Sequence, residues 1–173
     1  MIKHILGRNT QSKITGIKEE SIQPNAVDVS LADVWKILPS DFYLFNKEKG
    51  NRLKEKVKEL QWIYGGSTYK LEEGVYEISF ENEVTIGQTE TGIIIPRSTL
   101  VRNGVFIHSG LYDSGYHGMM VASLQVTCGS FFVKRGTRLA QFVLFDSEAL
   151  SQYCGSYGID EQGNIKQEQK RYS

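Results

Sequence analysis

The stretch from residue 75 to residue 96, VYEISFENEVTIGQTETGIIIP, alternates apolar and polar side chains and then ends in a continuous apolar run. Residues 75–80 and 83–86 have the period of two that sends successive side chains of a strand to opposite faces. Residues 92–95, which stop at Pro96, are typical of a strand buried on both faces. This stretch therefore predicts β-structure.

A strand-like sequence pattern continues on both sides of this stretch. Residues 69–71 precede it, and residues 119–126 and 139–145 repeat the alternation after it. The 17 glycines and three prolines are scattered between short apolar runs, which favours many short strands joined by turns. The sequence predicts one all-β domain over residues 1–173, a sandwich or barrel, with enough apolar material for a core.

Two segments depart from this pattern. Residues 46–60, NKEKGNRLKEKVKEL, are charged and carry apolar residues at helical spacing, so we expect a surface insertion with a short helix as one possibility. Charges of both signs are interleaved there, which favours a solvated face over a nucleic-acid patch. Residues 162–173 are polar enough to predict a mobile tail unless a ligand or a neighbouring subunit orders them.

The composition excludes several function classes. The 20 basic side chains balance the 20 acidic ones, which speaks against a general nucleic-acid binder. No apolar run approaches the roughly 20 residues of a membrane-spanning helix, and residues 1–10 are too polar for a signal peptide. We expect a soluble, cytoplasmic protein (in the host cytoplasm if viral) with no nucleic-acid or membrane partner. The H-x-E and P-C-x-x-C motifs of zinc-dependent base deaminases are absent.

Between residues 96 and 145, turns deliver charged and polar groups in three clusters. Arg97 and Ser98 follow Pro96, and Arg102 comes one helical turn later, a grouping that suits phosphate oxygens or a surface turn. Residues 110–118, GLYDSGYHG, place a carboxylate and an aromatic ring on one glycine-rich bend or hairpin turn. Residues 134–141, KRGTRLAQ, form another glycine turn with local positive charge.

In this order, the motifs Pro-Arg-Ser-x-Leu, Gly-x-x-Asp-x-x-Tyr-x-Gly and Gly-x-Arg-x-Ala-Gln resemble those of the trimeric dUTPase and dCTP deaminase superfamily. Residues 23–31, QPNAVDVSL, are similar to the opening motif of the deaminase branch. The resemblance runs from about residue 21 to about residue 145. It implies a distorted β-barrel or jelly roll of the β-clip type. It also implies a homotrimer with active sites between subunits, and a deoxynucleoside triphosphate bound with Mg²⁺.

Position 123 distinguishes the two reactions of this superfamily. The deaminases carry a proton-shuttling glutamate ten residues after the motif aspartate, and this chain has Ser123 there. A serine hydroxyl cannot replace that carboxylate, so the resemblance implies a dUTP diphosphatase that forms dUMP and pyrophosphate. A dCTP deaminase, a bifunctional deaminase and dUTPase, and a non-catalytic nucleotide-binding regulator stay open as alternatives.

The resemblance also assigns roles to individual residues. Asp113 matches the general base, and Tyr116 matches the aromatic residue that packs on the deoxyribose. Asp28 matches an aspartate that is linked to the metal indirectly, through water. The other implied substrate-binding residues are Arg97, Ser98, Arg102, Gly110 and Gln141. We expect neighbouring subunits to bring Arg97, Arg102 and Arg138 together, and residues 153–158 to be a shorter counterpart of the glycine-rich tail of dUTPases.

Overall fold

The computed structural model describes residues 1–45, 48–60, 67–160 and 162–167. The described helices, a 3-10 turn at Glu19–Ser21 and α1 at Ser98–Arg102, are far too short to cross a bilayer. The strands in chain order are β1 Ile2–Lys3, β2 Lys13–Ile14, β3 Val27–Ile37, β4 Tyr43–Phe45, β5 Glu48–Gly50, β6 Lys54–Lys56, β7 Tyr69–Leu71, β8 Gly74–Thr85, β9 Glu90–Pro96, β10 Val105–His108, β11 His117–Val126, β12 Phe131–Val133 and β13 Arg138–Asp146.

Antiparallel pairing organises the molecule, and the prediction of an all-β fold is confirmed. The main path of the large sheet runs β1-β13-β3-β8-β11-β10, while β2, β6 and β9 pair with its sides. Strand β3 pairs with β13 near its start and with β8 along its second half, so it links the two parts of the sheet. Within the described residues, the strands form a jelly-roll-like fold that does not close into a barrel.

The stretch that predicted the fold contains two long strands. Residues 75–80 and 83–86 were expected as separate runs, but β8 continues through both of them as far as Thr85. Strand β9 covers the apolar run 92–95, yet the prediction that it is buried on both faces is wrong. Its burial alternates, and Ile95 is 37% exposed. One face of β9 packs on the core, and the other faces outward in the single chain.

The helical alternative for the charged segment is wrong over its described residues, 48–60. Strand β5 forms a hairpin with β4, and β6 pairs with β3 through Trp35↔Lys56 and Ile37↔Lys54. Pairing with the available edge of β3 satisfies backbone groups that a short, charged helix would leave to water. Leu53, one of the apolar residues at helical spacing, is 65% exposed and adds nothing to the core. Residues 46 and 47 lie outside the described residues.

The described part of the polar tail, residues 162–167, turns back onto the domain. Ile159 and Ile165 form an isolated antiparallel bridge, and the Lys166 amide donates to the Gly158 carbonyl at 2.8 Å. The Lys166 ammonium lies 5.0 Å from the centre of the Tyr153 ring. The tail prediction overlooked this cation–π contact. Residues 161 and 168–173 lie outside the described residues.

A contiguous apolar core lies between the parts of the sheet. Alternate side chains of β3, β8, β11 and β13 point into it, as the period of two predicts. The largest fully buried apolar side chains are Tyr69, Phe80, Phe142, Leu31, Leu71, Ile78, Met120, Leu124, Leu139 and Leu144. This core fixes both ends of β9, which carry the polar groups described below.

A buried carboxylate, that of Glu90, fixes the start of β9. Its side chain is fully buried, and it accepts hydrogen bonds from the Lys3 ammonium at 2.7 Å, the Ser12 hydroxyl at 2.6 Å and the Ser12 amide at 2.8 Å. Burial opposes its ionisation, but the bonds from Lys3, Ser12 and Thr10 outweigh burial and lower the pKa of Glu90 to about 2. This carboxylate therefore ties the N-terminal segment to β9.

We expect acid to destabilise the protein through Glu90. Because the folded-state pKa lies below the ordinary value of 4.5, the contribution of Glu90 is complete above pH 4.5 and is lost as the pH falls towards about 2. The wild type should lose about 3 kcal/mol of unfolding free energy through this group, and Glu90→Gln should lack that component. Urea unfolding between pH 7 and pH 2.5 measures the difference. The exposed-site variant Glu148→Gln should follow the wild type, and parallel curves for all three proteins would contradict the assignment.

Candidate active site

A buried ionic cluster lies beyond the end of β9. The Asp28 carboxylate on β3 is almost fully buried, and Arg97 Nε and Arg138 Nη1 lie 3.6 Å and 3.4 Å from its Oδ2. Gln141 donates to Oδ1 at 3.2 Å, and Gln23 donates to Oδ2 at 3.3 Å. The cluster forms because Gln141 pairs with Asp28 in the β13–β3 register. Both oxygens of the Asp28 carboxylate are thus occupied by protein donors.

This cluster carries a surplus of positive charge. Two guanidinium groups share one carboxylate, and the side chains of Arg97 and Arg138 remain 36% and 32% exposed. Arg97 also donates to the Arg138 carbonyl at 3.2 Å, which orients it. Both arginines line a cleft of about 770 Å³, which we call the arginine cleft. Forked, partly exposed guanidinium groups held by a buried carboxylate are suited to bind phosphate oxygens.

Arg97 and Arg138 meet within one chain, contrary to the expectation that neighbouring subunits bring them together. Ser98 is the first residue of α1 and is exposed beside Arg97. Arg102 ends α1 and is also exposed, with no side-chain partner among the described residues. Neither of these α1 residues lines the arginine cleft. The structure thus joins Arg97, Arg138, Gln141 and Asp28, and it leaves Arg102 outside the cluster.

Asp113 lies at the other end of β9, on a rigid turn. Its side chain is exposed, lines a cavity of about 460 Å³, and has no hydrogen bond or ion pair within the described part of the chain. The turn is tied to β9 on both sides of Asp113. The Ser114 hydroxyl donates to the Glu90 carbonyl at 2.7 Å, and the Thr91 hydroxyl donates to the Tyr112 carbonyl at 2.9 Å. The fold therefore presents the Asp113 carboxylate at a fixed position.

Another cavity, of about 340 Å³, adjoins the cavity at Asp113 and shares the lining residues Leu111 and Tyr153 with it. We call it the tyrosine cavity because Tyr112, Tyr116, Tyr153 and Tyr157 line it, together with Gly110. The Tyr116 ring lies 5.3 Å from the Tyr112 and Tyr153 rings in edge-to-face contacts, and its hydroxyl donates to the Met119 carbonyl at 2.7 Å. Burial raises the pKa of Tyr116, so the hydroxyl stays a neutral donor.

The sequence did not single out one charged residue of the tyrosine cavity. Glu77 lines it and lies directly opposite Ser123 in the β8–β11 register. In the sequence, Glu77 lies between apolar neighbours in an alternating pattern, which indicated only that its side chain faces outward from a strand. The strand register, which the pattern alone does not supply, brings Glu77 to Ser123. Tyr153 and Tyr157 of the predicted tail counterpart line the same cavity in the same chain.

The two sets of candidate residues lie at opposite ends of β9. Thr91 contacts the Asp113 turn, and Arg97 follows the last residue of the strand. At about 3.4 Å per residue, these ends are roughly 20 Å apart. Among the described residues, the tyrosine cavity and the cavity at Asp113 share no lining residue with the arginine cleft. One chain therefore separates the Asp113 carboxylate from the guanidinium pair.

The acidic groups do not form a preassembled cation site in the described part of the chain, where no group of three His, Cys, Asp or Glu residues could hold a metal ion. Asp28 is almost fully buried, and its carboxylate already balances charge of Arg97 and Arg138. This arrangement fits a cation carried mainly by a bound polyphosphate, the usual mode for Mg²⁺.

Comparisons with known proteins agree on one family. The dCTP deaminase-like family model matches residues 2–147. A probable deoxyuridine 5'-triphosphate nucleotidohydrolase of Halobacterium salinarum is 29% identical over 142 residues, which cover 82% of this chain and 85% of that protein. A protein of the same name from Aeropyrum pernix is 29% identical over 147 residues, covering 83% and 89% of the two chains.

Solved structures share the fold. The 2'-deoxycytidine 5'-triphosphate deaminase of Agrobacterium tumefaciens matches with a TM-score of 0.58 and 16% identity, over 78% of this chain and 42% of that chain. A mutant dUTPase of phage phi11 of S. aureus, whose structure reveals the coordination of a structural Mg(II) ion, matches with a TM-score of 0.50 and 15% identity. That match covers 84% and 97% of the two chains.

We expect the Asp28 carboxylate to be necessary for the stability of the ionic cluster with Arg97 and Arg138. Asp28→Ala leaves two guanidinium groups beside each other without a counter-charge, so the free energy of unfolding should fall by about 3 kcal/mol. The control is Asp146→Ala, which breaks an ion pair between Lys3 and a half-exposed carboxylate and should cost less than about 1 kcal/mol. Urea unfolding at pH 7 measures both variants. Equal losses in the two variants would contradict this role of Asp28.

Proposed function

This chain belongs to the dCTP deaminase-like family, and on that premise we propose that it is a dUTP diphosphatase, which hydrolyses dUTP to dUMP and pyrophosphate. The observation that carries the proposal is the Asp113 carboxylate, which has no partner among the described residues and lies beside a tyrosine-lined cavity of nucleoside size. Two relatives that share 29% identity with most of the chain are named probable deoxyuridine 5'-triphosphate nucleotidohydrolases, which supports uracil as the base. Ser123 leaves the deaminase position without a carboxylate.

In this mechanism, Asp113 orients a water molecule and accepts its proton as the water oxygen attacks the α-phosphorus. The new bond joins the water oxygen to phosphorus, and the bond from phosphorus to the oxygen bridging the α- and β-phosphates breaks, so pyrophosphate leaves. The general base must be close to that water, and the absence of a competing partner within the described residues leaves the Asp113 carboxylate available. The family resemblance assigns these steps to Asp113, and its unpaired state is consistent with them.

Substrate binding is shared among the remaining candidates. We assign the deoxyribose to the Tyr116 ring, whose hydroxyl is held by Met119, and the base to the tyrosine cavity near Gly110. We assign the phosphates to Arg97 and Ser98, with Arg102 as an outer contact. Gln141 holds the Asp28 carboxylate and thereby the arginines that bind phosphate.

Mg²⁺ is the proposed cofactor. When bound, it would neutralise phosphate charge and favour departure of pyrophosphate. Asp28 would contact the ion through water, since Gln23 and Gln141 already donate to its oxygens and Arg97 and Arg138 form ion pairs with Oδ2. The net charge of zero makes such local positive charge necessary for a ligand with about four negative charges.

We also propose that the working site is formed between copies of the chain, in a homotrimer. The segments that carry Asp113 and Arg97 flank opposite ends of β9, a strand roughly 20 Å long, so a nucleotide whose sugar sits on Tyr116 would meet the arginine cleft of a neighbouring copy more readily than that of its own chain. A neighbouring copy that brings its arginine cleft to the Asp113 cavity completes the set. The outward face of β9, with Ile95 exposed, is consistent with such a contact.

The first activity test is Asp113→Asn. The amide keeps the shape of the side chain and cannot accept the water proton, so kcat for dUTP should fall by about 10²- to 10⁴-fold with little change in dUTP binding. Asp41→Asn, at another exposed aspartate, is the matched control and should keep full activity. Pyrophosphate release in the presence of Mg²⁺ is the measurement. Full turnover by Asp113→Asn would overturn the mechanism.

The same wild-type sample distinguishes the alternatives. Incubation with dUTP, dCTP and dTTP should give pyrophosphate from dUTP alone. Ammonia release from dCTP would instead establish a deaminase or a bifunctional enzyme, and tight dUTP binding without any product would establish a non-catalytic regulator.

A composite site predicts complementation between inactive variants. Asp113→Asn and Arg97→Met should each be inactive alone, because every site then lacks one necessary group. Random mixing of the two in a cyclic oligomer should restore about a quarter of the sites. The experiment is to unfold and refold the two variants together and to measure dUTP hydrolysis. Mixing without unfolding is the control, and no recovery in a refolded, oligomeric mixture would place both groups in one chain.

A further inference from the structure

A cavity of about 280 Å³, formed by three segments of the chain, lies beside the arginine cleft. It shares Arg97, Thr137 and Arg138 with that cleft. Its other walls come from the segment around the 3-10 turn, from β3 and from the glycine turn that precedes β13. We call it the hydroxyl pocket. The lining side chains that can donate hydrogen bonds to a ligand are Lys18, Ser21, Ser30, Arg97, Thr137 and Arg138.

Hydrogen bonds between distant segments hold the walls of the hydroxyl pocket in place. Ser30 on β3 lies directly opposite Arg138 on β13, so both side chains point to the same face of the sheet. Arg138 Nη1 donates to the Glu20 carbonyl, which ties the 3-10 turn to the arginine. The Gly136 amide donates to the Leu31 carbonyl at 2.8 Å, which holds the glycine turn against β3. The pocket is therefore a fixed feature of the fold.

The Ser21 side chain is buried in this pocket without a partner. It is only 4% exposed, and its hydroxyl makes no hydrogen bond within the described residues, although its amide donates to the Lys18 carbonyl at 2.9 Å. Buried hydroxyl groups in folded proteins almost always have a partner. The hydroxyls of Ser30 and Thr137 also have no described partner, although both amides are hydrogen-bonded. Three hydroxyl donors are therefore available to a ligand.

The charges around the hydroxyl pocket favour an anion. Lys18, Arg97 and Arg138 contribute three positive charges, against the exposed Glu20 carboxylate and the Asp28 carboxylate that holds the arginines. Lys18 has no ion pair within the described part of the chain. The hydrogen bonds of both arginines use Nη1, so the Nη2 groups are left to donate. Guanidinium groups, an ammonium and hydroxyl donors together suit the several acceptor oxygens of a phosphate group.

We propose that the hydroxyl pocket binds a phosphate or pyrophosphate group through Lys18, Ser21 and the arginine pair. One water takes about 30 Å³ of liquid volume, so the pocket holds a group of several heavy atoms. The site goes beyond the proposed hydrolysis, which gives Lys18 and Ser21 no role. The group is either a free inorganic anion or the terminal phosphate of a nucleotide. Because Arg97 and Arg138 line both cavities, an anion in the pocket shares their charge with the arginine cleft.

The test measures the dissociation constant of inorganic pyrophosphate by calorimetry at pH 7, without Mg²⁺, so that the anion itself is the ligand. Ser21→Ala should weaken pyrophosphate binding about tenfold, because a hydrogen bond to a charged group is lost. It should leave the urea midpoint unchanged, since the hydroxyl has no described protein partner to lose. Lys18→Met removes an exposed ammonium and should weaken pyrophosphate binding about fivefold.

The matched control is Lys13→Met, at an exposed lysine of the same N-terminal segment outside the pocket, and it should bind pyrophosphate like the wild type. Titration with α,β-imido-dUTP and Mg²⁺ distinguishes the two sources of the phosphate group. Ser21→Ala should leave that affinity unchanged if the pocket takes a free anion, and should lower it if the pocket takes the end of the triphosphate. Wild-type pyrophosphate affinity in either Ser21→Ala or Lys18→Met would overturn the proposal, as would a wild-type protein that does not bind pyrophosphate. These measurements need no turnover, so failure of the proposed function appears separately, as a wild-type protein that does not hydrolyse dUTP.

Discussion

The length of β9 is the constraint on which the rest of the structure depends. Its first residues anchor the turn that carries Asp113, and its last residue leads into Arg97 and the arginine cluster. The strand is roughly 20 Å long, and it holds a carboxylate without a partner among the described residues away from two guanidinium groups with surplus charge. Our proposal that copies of the chain complete one another's sites rests on the separation of these two halves.

Two buried carboxylates hold these halves in place by different means. Glu90 binds the N-terminal segment to the start of β9, and its own carbonyl receives Ser114 next to Asp113. Asp28 holds Arg97 and Arg138 with their outer faces exposed. Each carboxylate is buried with several donors, an arrangement that fixes geometry more than it adds net stability. The balanced overall charge of the chain thus coexists with a strongly positive cluster.

The sequence predicted the strands more completely than their surroundings. Alternation located β7, β8, β11 and β13, because the period of two is a local property, and the continuous apolar run 92–95 located β9. Helical spacing gave the wrong alternative for the charged insertion, where the edge of β3 decided the structure. The apolar run gave the wrong burial for Ile95, which depends on what covers β9. The motifs identified Asp113, Tyr116, Arg97 and Asp28 as candidates. Glu77 required the β8–β11 register, and the distance between Asp113 and Arg97 required the strand itself, since neither is encoded in neighbouring residues.

A crystal structure of the protein with α,β-imido-dUTP and Mg²⁺ tests most directly whether dUTP is hydrolysed at a site shared by two copies. We expect the uracil in the tyrosine cavity of one copy, with Asp113 of that copy facing the α-phosphorus. We expect the phosphates on Arg97 of a neighbouring copy. A nucleotide bound entirely within one chain, or bound with its α-phosphate away from Asp113, would contradict this shared site.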